Sequence, residues 1–287
     1  MIAPTPGTEV AYVDPQRRAL VRQRARRNAL VGMASLIGFV IVISVIVSRT
    51  PGWSVVQETF FNGEEFIKTF PGLLSAFMLN VRIFVIAEPL ILILGLLVAL
   101  ARTLHSPIFL PVRVIATLYV DIFRGIPTIL VIFLLGFGIP ALRLTGFPNG
   151  AIFWGTAALV LSYGAYVAEV FRAGIGSVHS SQQMASRSLG LSSWQTNRYV
   201  VLPQAIRNVI PPLLNDFISL QKDTALVAVL GPIEVLRQAQ IDTSSSFNYT
   251  PYVGAALIFI ALTIPMTRFA DWVQERSSRR RRAGGDS

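Results

Sequence analysis

The sequence has 287 residues, of which 53% are hydrophobic and only 14% are charged, and its mean hydropathy is +0.58. Soluble domains carry about 25% charged residues, so this composition excludes a soluble globular protein and indicates an all-α integral membrane protein. The sequence contains no cysteine, which excludes disulfides and thiol chemistry, and its two histidines, His105 and His179, are too few for a metal site.

The net charge of +10 collects mainly at the two ends of the chain. The arginines concerned are Arg17, Arg18, Arg22, Arg24, Arg26 and Arg27 before the first hydrophobic run, and Arg276, Arg279, Arg280, Arg281 and Arg282 after the last. Next to hydrophobic segments, such clusters indicate a cytoplasmic side and contact with anionic membrane lipid. We therefore expect no nucleic-acid partner, although a membrane-anchored regulator that binds nucleic acid stays an alternative.

The chain begins with a predicted disordered cytoplasmic tail, residues 1–28, which is rich in arginine and proline. Residues 29–48 are apolar and about long enough to cross a bilayer, which needs roughly 20 residues. A signal peptide is the competing reading, but the apolar run is long for one and no cleavage site follows it. Residues 49–71 are acidic and aromatic, which favours an external interfacial segment.

Five more hydrophobic helices are predicted in the rest of the chain, at residues 73–104, 115–138, 151–173, 209–231 and 252–272. A basic cytoplasmic tail is predicted at residues 274–287. Six spans place both ends on one side of the membrane. The segments on that side hold Arg102, Arg113, Arg172, Arg187, Arg198 and Arg207. The predicted topology therefore has both termini inside the cell.

Polar residues replace the hydrophobic pattern between the fourth and fifth predicted spans, at residues 178–200. Residues 182–189 can form a short helix, with Ser180 and Gln183 at the spacing of a capping box. Gly190 is the residue type best able to turn the chain where that helix ends.

A second short helix is predicted directly after Gly190. Ser192 and Gln195 repeat the capping spacing, and Pro203 then opens a long apolar helix. We predict that the two short helices lie across the direction of the spans and form a cytoplasmic docking surface. Trp194 is either an anchor of that surface or an interfacial membrane residue.

The residues of this segment resemble the coupling loop of permease subunits of bacterial ATP-binding-cassette importers, above all those for polar amino acids. The positions that carry the resemblance are Gln182, Gln183, Met184, Ala185, Ser186, Leu189, Gly190, Leu202, Pro203, Gln204, Ala205, Pro211, Asn215 and the run 222–226. In that family a Glu-Ala-Ala triplet is usual. Here Met184 stands in place of its Glu, and Ser186 in place of its second Ala.

Two further runs resemble the same family, so that the likeness extends over residues 72–271. Residues 124–127 resemble its Arg-Gly-Thr-Pro run, with Ile126 in place of Thr, and Ala165, Tyr166, Glu169 and Arg172 match another. The resemblance implies an importer domain at residues 72–273, made of five core helices, to which residues 29–48 add one. It also implies a multi-pass protein of the bacterial cytoplasmic membrane.

The resemblance implies that the chain is not an enzyme itself but works with partner subunits. The expected partners are a cytoplasmic ATPase, a second permease subunit (an identical or related chain) and an extracytoplasmic amino-acid-binding protein. The sequence has no Gly-x-x-x-x-Gly-Lys-Ser/Thr run. We therefore expect no cofactor on this chain, and ATP and Mg²⁺ on the ATPase. The expected cargo is glutamate, glutamine or a basic amino acid.

The candidate ATPase-coupling residues are Gln182, Gln183, Met184, Ala185, Ser186, Leu189, Gly190, Trp194 and Pro203. The candidate pathway residues are Arg124, Glu169, Lys222, Asp223 and Thr224. A charge inside a bilayer costs about 2.5–3.5 kcal/mol on insertion scales, so each needs a reason. That reason is contact with the cargo or, for Lys222, Asp223 and the Glu169–Arg172 pair, a structural ion pair. Contact with the cargo is favoured for Arg124, because Gly125 and Pro127 can interrupt the helix beside it.

A different mechanism stays open at this point. An ion-coupled secondary transporter or a channel would use the intramembrane charges directly, without an ATPase. A membrane enzyme is disfavoured because the sequence shows no nucleophile–base or metal-ligand spacing.

Overall fold

The computed structural model describes the backbone of residues 15–104 and 106–283, and the side chains of residues 23–24, 26–104 and 106–276. All regular elements in this part of the chain are helical. The helices are α1 Pro15–Ser48, α2 Trp53–Phe60, α3 Gly63–Arg102, α4 Leu110–Gly125, α5 Thr128–Phe133, α6 Ile139–Ala141, α7 Ala151–Gly176, α8 Ser180–Ser188, α9 Ser193–Thr196, α10 Leu202–Asp223, α11 Val235–Ser246 and α12 Thr250–Ala283. The chain divides into two compact units, residues 1–58 and 59–287.

The first unit contains α1, which begins at Pro15, inside the segment 1–28 that we predicted to be a disordered tail. Residues 1–14 of that tail lie outside the described residues, as do His105 and the end of the predicted 274–287 tail. Within α1, residues 26–48 are long and apolar enough to cross a membrane.

In the second unit, α3 runs without interruption from Gly63 to Arg102, through the boundary predicted between an external segment and the second span. Its start is stabilised by the Asn62 side chain, which accepts a hydrogen bond from the Glu65 backbone N–H, and by acidic residues in the first turn. The spans predicted at 73–104, 151–173 and 252–272 fall within α3, α7 and α12.

The predicted third span, residues 115–138, is broken near its middle. Ile126 is extended, at φ −102° and ψ 131°, because a residue that precedes proline is restricted away from the helical region. The helical segments before and after Pro127 bend by 106° relative to each other. The break therefore lies at the Gly125–Pro127 run, where we expected the helix to be interrupted.

Four described helices are long and apolar enough to cross a membrane, or five if the bent pair counts as one span. The span predicted at 209–231 is the one that does not qualify. α10 carries Arg207, Asp216, Lys222 and Asp223, and it ends at Asp223, where a 3₁₀ segment, Thr224–Leu230, begins. These four charged residues make α10 more polar than the helices that are apolar enough to cross a membrane.

The hydrophobic core lies between α3, α5, α7, α10 and the 3₁₀ segment. Its buried residues are Ile83, Ala87, Ile91, Val131, Ile132, Ala158, Leu159, Tyr163, Val167, Leu220, Val227 and Leu230. A second cluster joins α3, α11 and α12, through Leu73, Phe77, Val235, Ala239, Ala255 and Ile258. The core thus fixes α10 and its 3₁₀ extension against α3 and α7.

Candidate functional site

The coupling segment, which we define as residues 178–205, folds as a helix, a tight turn and a second helix. Gly190 adopts φ +87°, the left-handed conformation expected at this position, and ends α8. The N–H of Leu191 donates to the Ser186 carbonyl at 3.2 Å, and the N–H of Gly190 to the Arg187 carbonyl at 3.0 Å. The predicted break at Gly190 is confirmed.

The second helix starts at the predicted cap. The Ser192 side chain accepts from the Gln195 N–H at 3.3 Å, and the Gln195 side chain accepts from the Ser192 N–H at 2.8 Å. The predicted capping box is therefore confirmed, and it positions the helix that carries Trp194.

Two details of the predicted segment are wrong. α8 begins at Ser180 with His179 as its N-cap and no capping side chain, so the box predicted for Ser180 and Gln183 is not formed. α9 is also not separate, because a π-helical turn, Asn197–Val201, joins it to α10. Pro203 has no N–H for the carbonyl four residues before it, and a π-helical turn accommodates that missing bond.

A small set of buried side chains joins the two short helices of the segment to each other and to the spans. Ser186 is buried, and its hydroxyl lies 2.9 Å from that of Thr196, so this hydrogen bond joins α8 to α9. Val178, Val201 and Ala205 form a separate apolar cluster beneath it. Ser186, the residue in place of the family's second Ala, therefore has a structural role inside the segment.

Four large apolar side chains of the coupling segment are more than 60% exposed, and we call them the apolar face. Leu189 is 82% exposed, Trp194 68%, Tyr199 64% and Met184 63%. The Trp194 and Tyr199 rings contact edge to face with their centroids 6.4 Å apart. Exposed large apolar groups held on a rigid turn are typical of a docking surface.

The other predicted coupling residues surround this face. Gln182 is exposed and accepts a hydrogen bond from the Gln204 side chain. Gln183 is half-buried and its carbonyl accepts from the Ser186 hydroxyl at 2.8 Å. Ala185 is exposed, and Pro203 is half-buried at the start of α10.

The predicted pathway residues do not form one site. Arg124 and Glu169 line a cavity of about 380 Å³ between α4, α7 and α10. The Asp223 carboxylate accepts a hydrogen bond from the Tyr163 hydroxyl at 2.8 Å. Thr224 is buried elsewhere, and Lys222 is exposed, with no ion pair to a described residue.

Glu169 is occupied by two arginines. Arg102 Nη1 lies 2.7 Å from Glu169 Oε2, and Arg172 on the next turn of α7 pairs with the same carboxylate. Two guanidinium groups satisfy this carboxylate fully, which favours the structural reading of the Glu169–Arg172 pair. Arg124 is different: its guanidinium lies over the Tyr166 ring, 5.7 Å from the centroid, and faces the cavity.

Sequence reasoning missed Asp216 as a member of this cavity. The residue lines the same space as Arg124, and its buried Oδ2 has no hydrogen-bond partner among the described residues. Its charge inside the predicted fifth span was the signal that could have identified it. The cavity therefore offers a cation and an anion on separate walls, as a zwitterionic solute requires.

A second cavity of about 290 Å³ lies between α3, α10 and α12, and its walls are apolar except for Glu88. No group of three or more histidine, aspartate and glutamate side chains that could hold a metal ion occurs within the described residues.

A buried polar network joins Asn80, Thr224 and Glu234, and it was not predicted. The Asn80 side-chain amide donates to Glu234 Oε2 at 2.8 Å and to the Thr224 hydroxyl at 3.1 Å, and its carbonyl accepts from the Val235 N–H at 3.2 Å. Glu234 also caps α11 by accepting from the Arg237 N–H at 2.7 Å. This network ties α3, the 3₁₀ segment and α11 together.

Comparison with known proteins gives a family match over most of the chain. Residues 91–282 match the family described as binding-protein-dependent transport system inner membrane component. The chain is 33% identical to the probable amino-acid permease protein YxeN of Bacillus subtilis (strain 168), over 75% of this chain and 96% of that protein. It is 37% identical to the probable glutamine ABC transporter permease protein GlnM of the same strain, over 64% and 83%.

Solved structures agree with this match. An amino acid ABC transporter solved with histidines has 33% sequence identity and a TM-score of 0.67, over 73% of this chain and 96% of that one. The inward-facing MetNI methionine ABC transporter has a TM-score of 0.54 over 71% and 95%, but only 17% identity, so it shows likeness of fold alone.

Proposed function

From the premise that the chain belongs to the family of binding-protein-dependent transport system inner membrane components, we propose that it is the membrane-spanning permease of an ATP-driven importer of polar amino acids. The cargo is glutamate, glutamine or a basic amino acid. Relatives include the glutamine permease already described and the arginine transport system permease protein ArtQ of Bacillus subtilis, 32% identical over 73% of this chain and 94% of that one.

The observation that carries the proposal is the coupling segment with its exposed apolar face. A helix–turn–helix held by a buried hydroxyl pair, with four large apolar side chains presented outward, is suited to receive force from a partner. The π-helical turn makes α9 continuous with α10, so a push on α9 is delivered to a helix that lines the cavity.

In this mechanism the chain itself performs no chemistry. Two permeases form the pathway, and two cytoplasmic ATPases bind and hydrolyse ATP with Mg²⁺. ATPase closure brings the coupling segments together, which turns the pathway outward to receive the solute from a binding protein. The ATPase supplies the differential binding energy between the two states. The full complex lies in the bacterial cytoplasmic membrane with both ends of this chain inside.

Within the spans, the cavity of Arg124 and Asp216 supplies opposite charges on separate walls. The Arg124 guanidinium suits a solute carboxylate and the Asp216 carboxylate suits its ammonium group. The neutralised Glu169 holds α3 to α7 at the edge of this cavity.

The test is reconstitution of the full complex in lipid vesicles with candidate ATPases and binding proteins. We expect amino-acid uptake that requires ATP and ATP hydrolysis that rises when substrate-loaded binding protein is added. Uptake driven by an ion gradient in vesicles that hold only this chain would overturn the proposal in favour of a secondary transporter.

A Trp194→Ala variant tests the coupling segment within that assay. We expect hydrolysis and uptake to fall together about tenfold, because buried aromatic anchors dominate interface free energies. Phe247→Ala is the matched control, since Phe247 is also exposed but lies after α11, on the side predicted to be external. Equal losses in both variants would count against the coupling role.

A further inference from the structure

The coupling segment and its surroundings carry charge of one sign only. From Val170 to Asn215 the sequence contains Arg172, Arg187, Arg198 and Arg207 and neither aspartate nor glutamate. Acidic residues reappear only at Asp216, in the cavity. This stretch, which contains the coupling segment, is therefore a source of positive potential that its own residues do not compensate.

The arginines differ in whether the fold neutralises them. Arg172 is paired with Glu169 and belongs to the span. Arg187, Arg198 and Arg207 are exposed, and no ion pair joins any of them to a carboxylate in the described part of the chain. These three guanidinium groups are thus available to a partner.

Two of them belong to the same helical elements as residues of the apolar face. Arg187 Nη1 donates to the Ser193 hydroxyl, which places its guanidinium next to the turn that precedes Trp194. Arg198 precedes Tyr199 in the π-helical turn. At protein–protein interfaces, a fully buried apolar centre is surrounded by a polar, solvated rim, and arginine is enriched in such contacts.

We propose that the partner ATPase presents an apolar socket for Met184, Leu189, Trp194 and Tyr199, rimmed by carboxylates that face Arg187 and Arg198. This inference rests on the proposed function and specifies the surface chemistry of the partner. We infer the acidic rim from charge complementarity, because an uncompensated basic rim favours an acidic partner and opposes a basic one. The apolar face supplies affinity, and the rim supplies partner choice and rate of association.

The test uses the full chain in complex with the ATPase whose hydrolysis it stimulates. Arg187→Glu combined with Arg198→Glu is compared with Arg143→Glu combined with Arg237→Glu, two exposed arginines outside the coupling segment. We expect the first pair to weaken ATPase retention about tenfold and the control pair to leave it unchanged. Retention by the unaltered chain should also fall as salt rises from roughly 50 to 500 mM, since exposed charge pairs are screened.

Two variants of Met184 test the apolar socket and the acidic rim separately. Met184→Leu keeps an apolar side chain and should retain the ATPase, whereas Met184→Glu places an acid in an apolar socket with an acidic rim and should lower retention about tenfold. Reversal of a carboxylate on the ATPase to arginine should restore binding to the Arg187→Glu, Arg198→Glu chain.

The outcomes are distinct. The acidic rim is wrong, while the importer function stands, in either of two cases. The ATPase binds the Arg187→Glu, Arg198→Glu chain as well as it binds the control pair, or it binds Met184→Glu better than the unaltered chain. If uptake proceeds without any ATPase, the proposed function itself fails.

Discussion

At the scale of single residues, the coupling segment depends on a few side chains whose chemistry cannot be exchanged freely. Gly190 holds φ +87°, a conformation that costs residues with a Cβ roughly 1–2 kcal/mol. Ser186 is buried against Thr196, so a larger residue there would separate α8 from α9. The residues of the apolar face are exposed, so we expect their constraint to come from the partner.

Replacement of Gly190 by alanine should therefore impair coupling rather than insertion. An added Cβ meets no atom within 4 Å, so the effect is backbone strain of roughly 1–2 kcal/mol, not a clash. We expect uptake per ATP hydrolysed to fall several-fold. Gly138→Ala is the control, because Gly138 has φ −65° and equally open space. Equal uptake by the two variants would contradict this prediction.

Glu234 should make stability depend on pH. Burial raises the pKa of its carboxyl above the ordinary value, although hydrogen bonds from Asn80 and two backbone N–H groups oppose this shift. The folded state therefore binds the proton more tightly than the unfolded state does. Its contribution to stability is complete below the ordinary pKa of about 4.3 and is lost as pH rises through the folded pKa.

We expect the melting temperature of the detergent-solubilised protein to fall as pH is raised through that window. In Glu234→Gln this slope should be smaller, because the amide does not titrate. Asp271→Asn, at an exposed position in α12, serves as the control and should keep the wild-type slope. An unchanged slope in Glu234→Gln would show that other groups govern the pH dependence.

At the scale of elements, close approach between α3 and α7 organises the second unit. A Cβ added at Gly95 would lie 2.5 Å from Val167 Cγ1 and 3.1 Å from the Ala168 backbone nitrogen. The Arg102–Glu169 ion pair joins the same two helices at the C-terminal end of α3. The two contacts hold the pair in one register, which keeps the cavity walls in place.

Gly95→Ala should accordingly destabilise the protein by about 1–3 kcal/mol, because the backbone of α7 cannot yield as a flexible side chain could. Gly176→Ala is the control, since nothing lies within 4 Å of its added Cβ. Thermal unfolding in detergent is the measurement. A melting temperature of Gly95→Ala equal to that of the control would refute tight packing here.

Some elements could be predicted from local sequence and others could not. The Gly190 turn, the Ser192 cap and the break at Pro127 follow from backbone preferences of a few adjacent residues, and the structure confirms them. The network of Asn80, Thr224 and Glu234 joins residues far apart in sequence. No local pattern marks which distant carboxylate an asparagine inside a hydrophobic helix will meet.

Contacts between distant residues also explain why the bounds of α3 and α10 differ from the predicted ones. Pro71 and Pro89 lie inside α3 and do not end it. α10 ends at Asp223, inside the predicted span 209–231, and its Asp216 and Asp223 lie against the cavity and α7. Position within the fold, not composition, decides how such residues are used.

At the scale of the whole molecule, the proposed orientation places the coupling segment inside the cell and the loop after α11 outside. Because the sequence has no cysteine, single-cysteine variants report orientation without background. Ser188→Cys and Ser245→Cys are matched, since each serine is exposed and its hydroxyl bonds only a carbonyl on its own helix.

A membrane-impermeant thiol reagent added to intact cells should label Ser245→Cys and spare Ser188→Cys. Both should react after permeabilisation. Labelling of Ser188→Cys in intact cells would mean that the orientation is inverted, and the importer proposal would fail with it.

The first helix, α1, has a mechanical consequence of its own. At 1.5 Å per residue, its 34 residues form a rod of about 50 Å, whereas the hydrocarbon layer is about 30 Å thick. Its N-terminal, arginine-bearing end therefore extends the same helix beyond the apolar residues. A ligand that binds this extension would also set the tilt of the apolar residues 26–48 in the membrane.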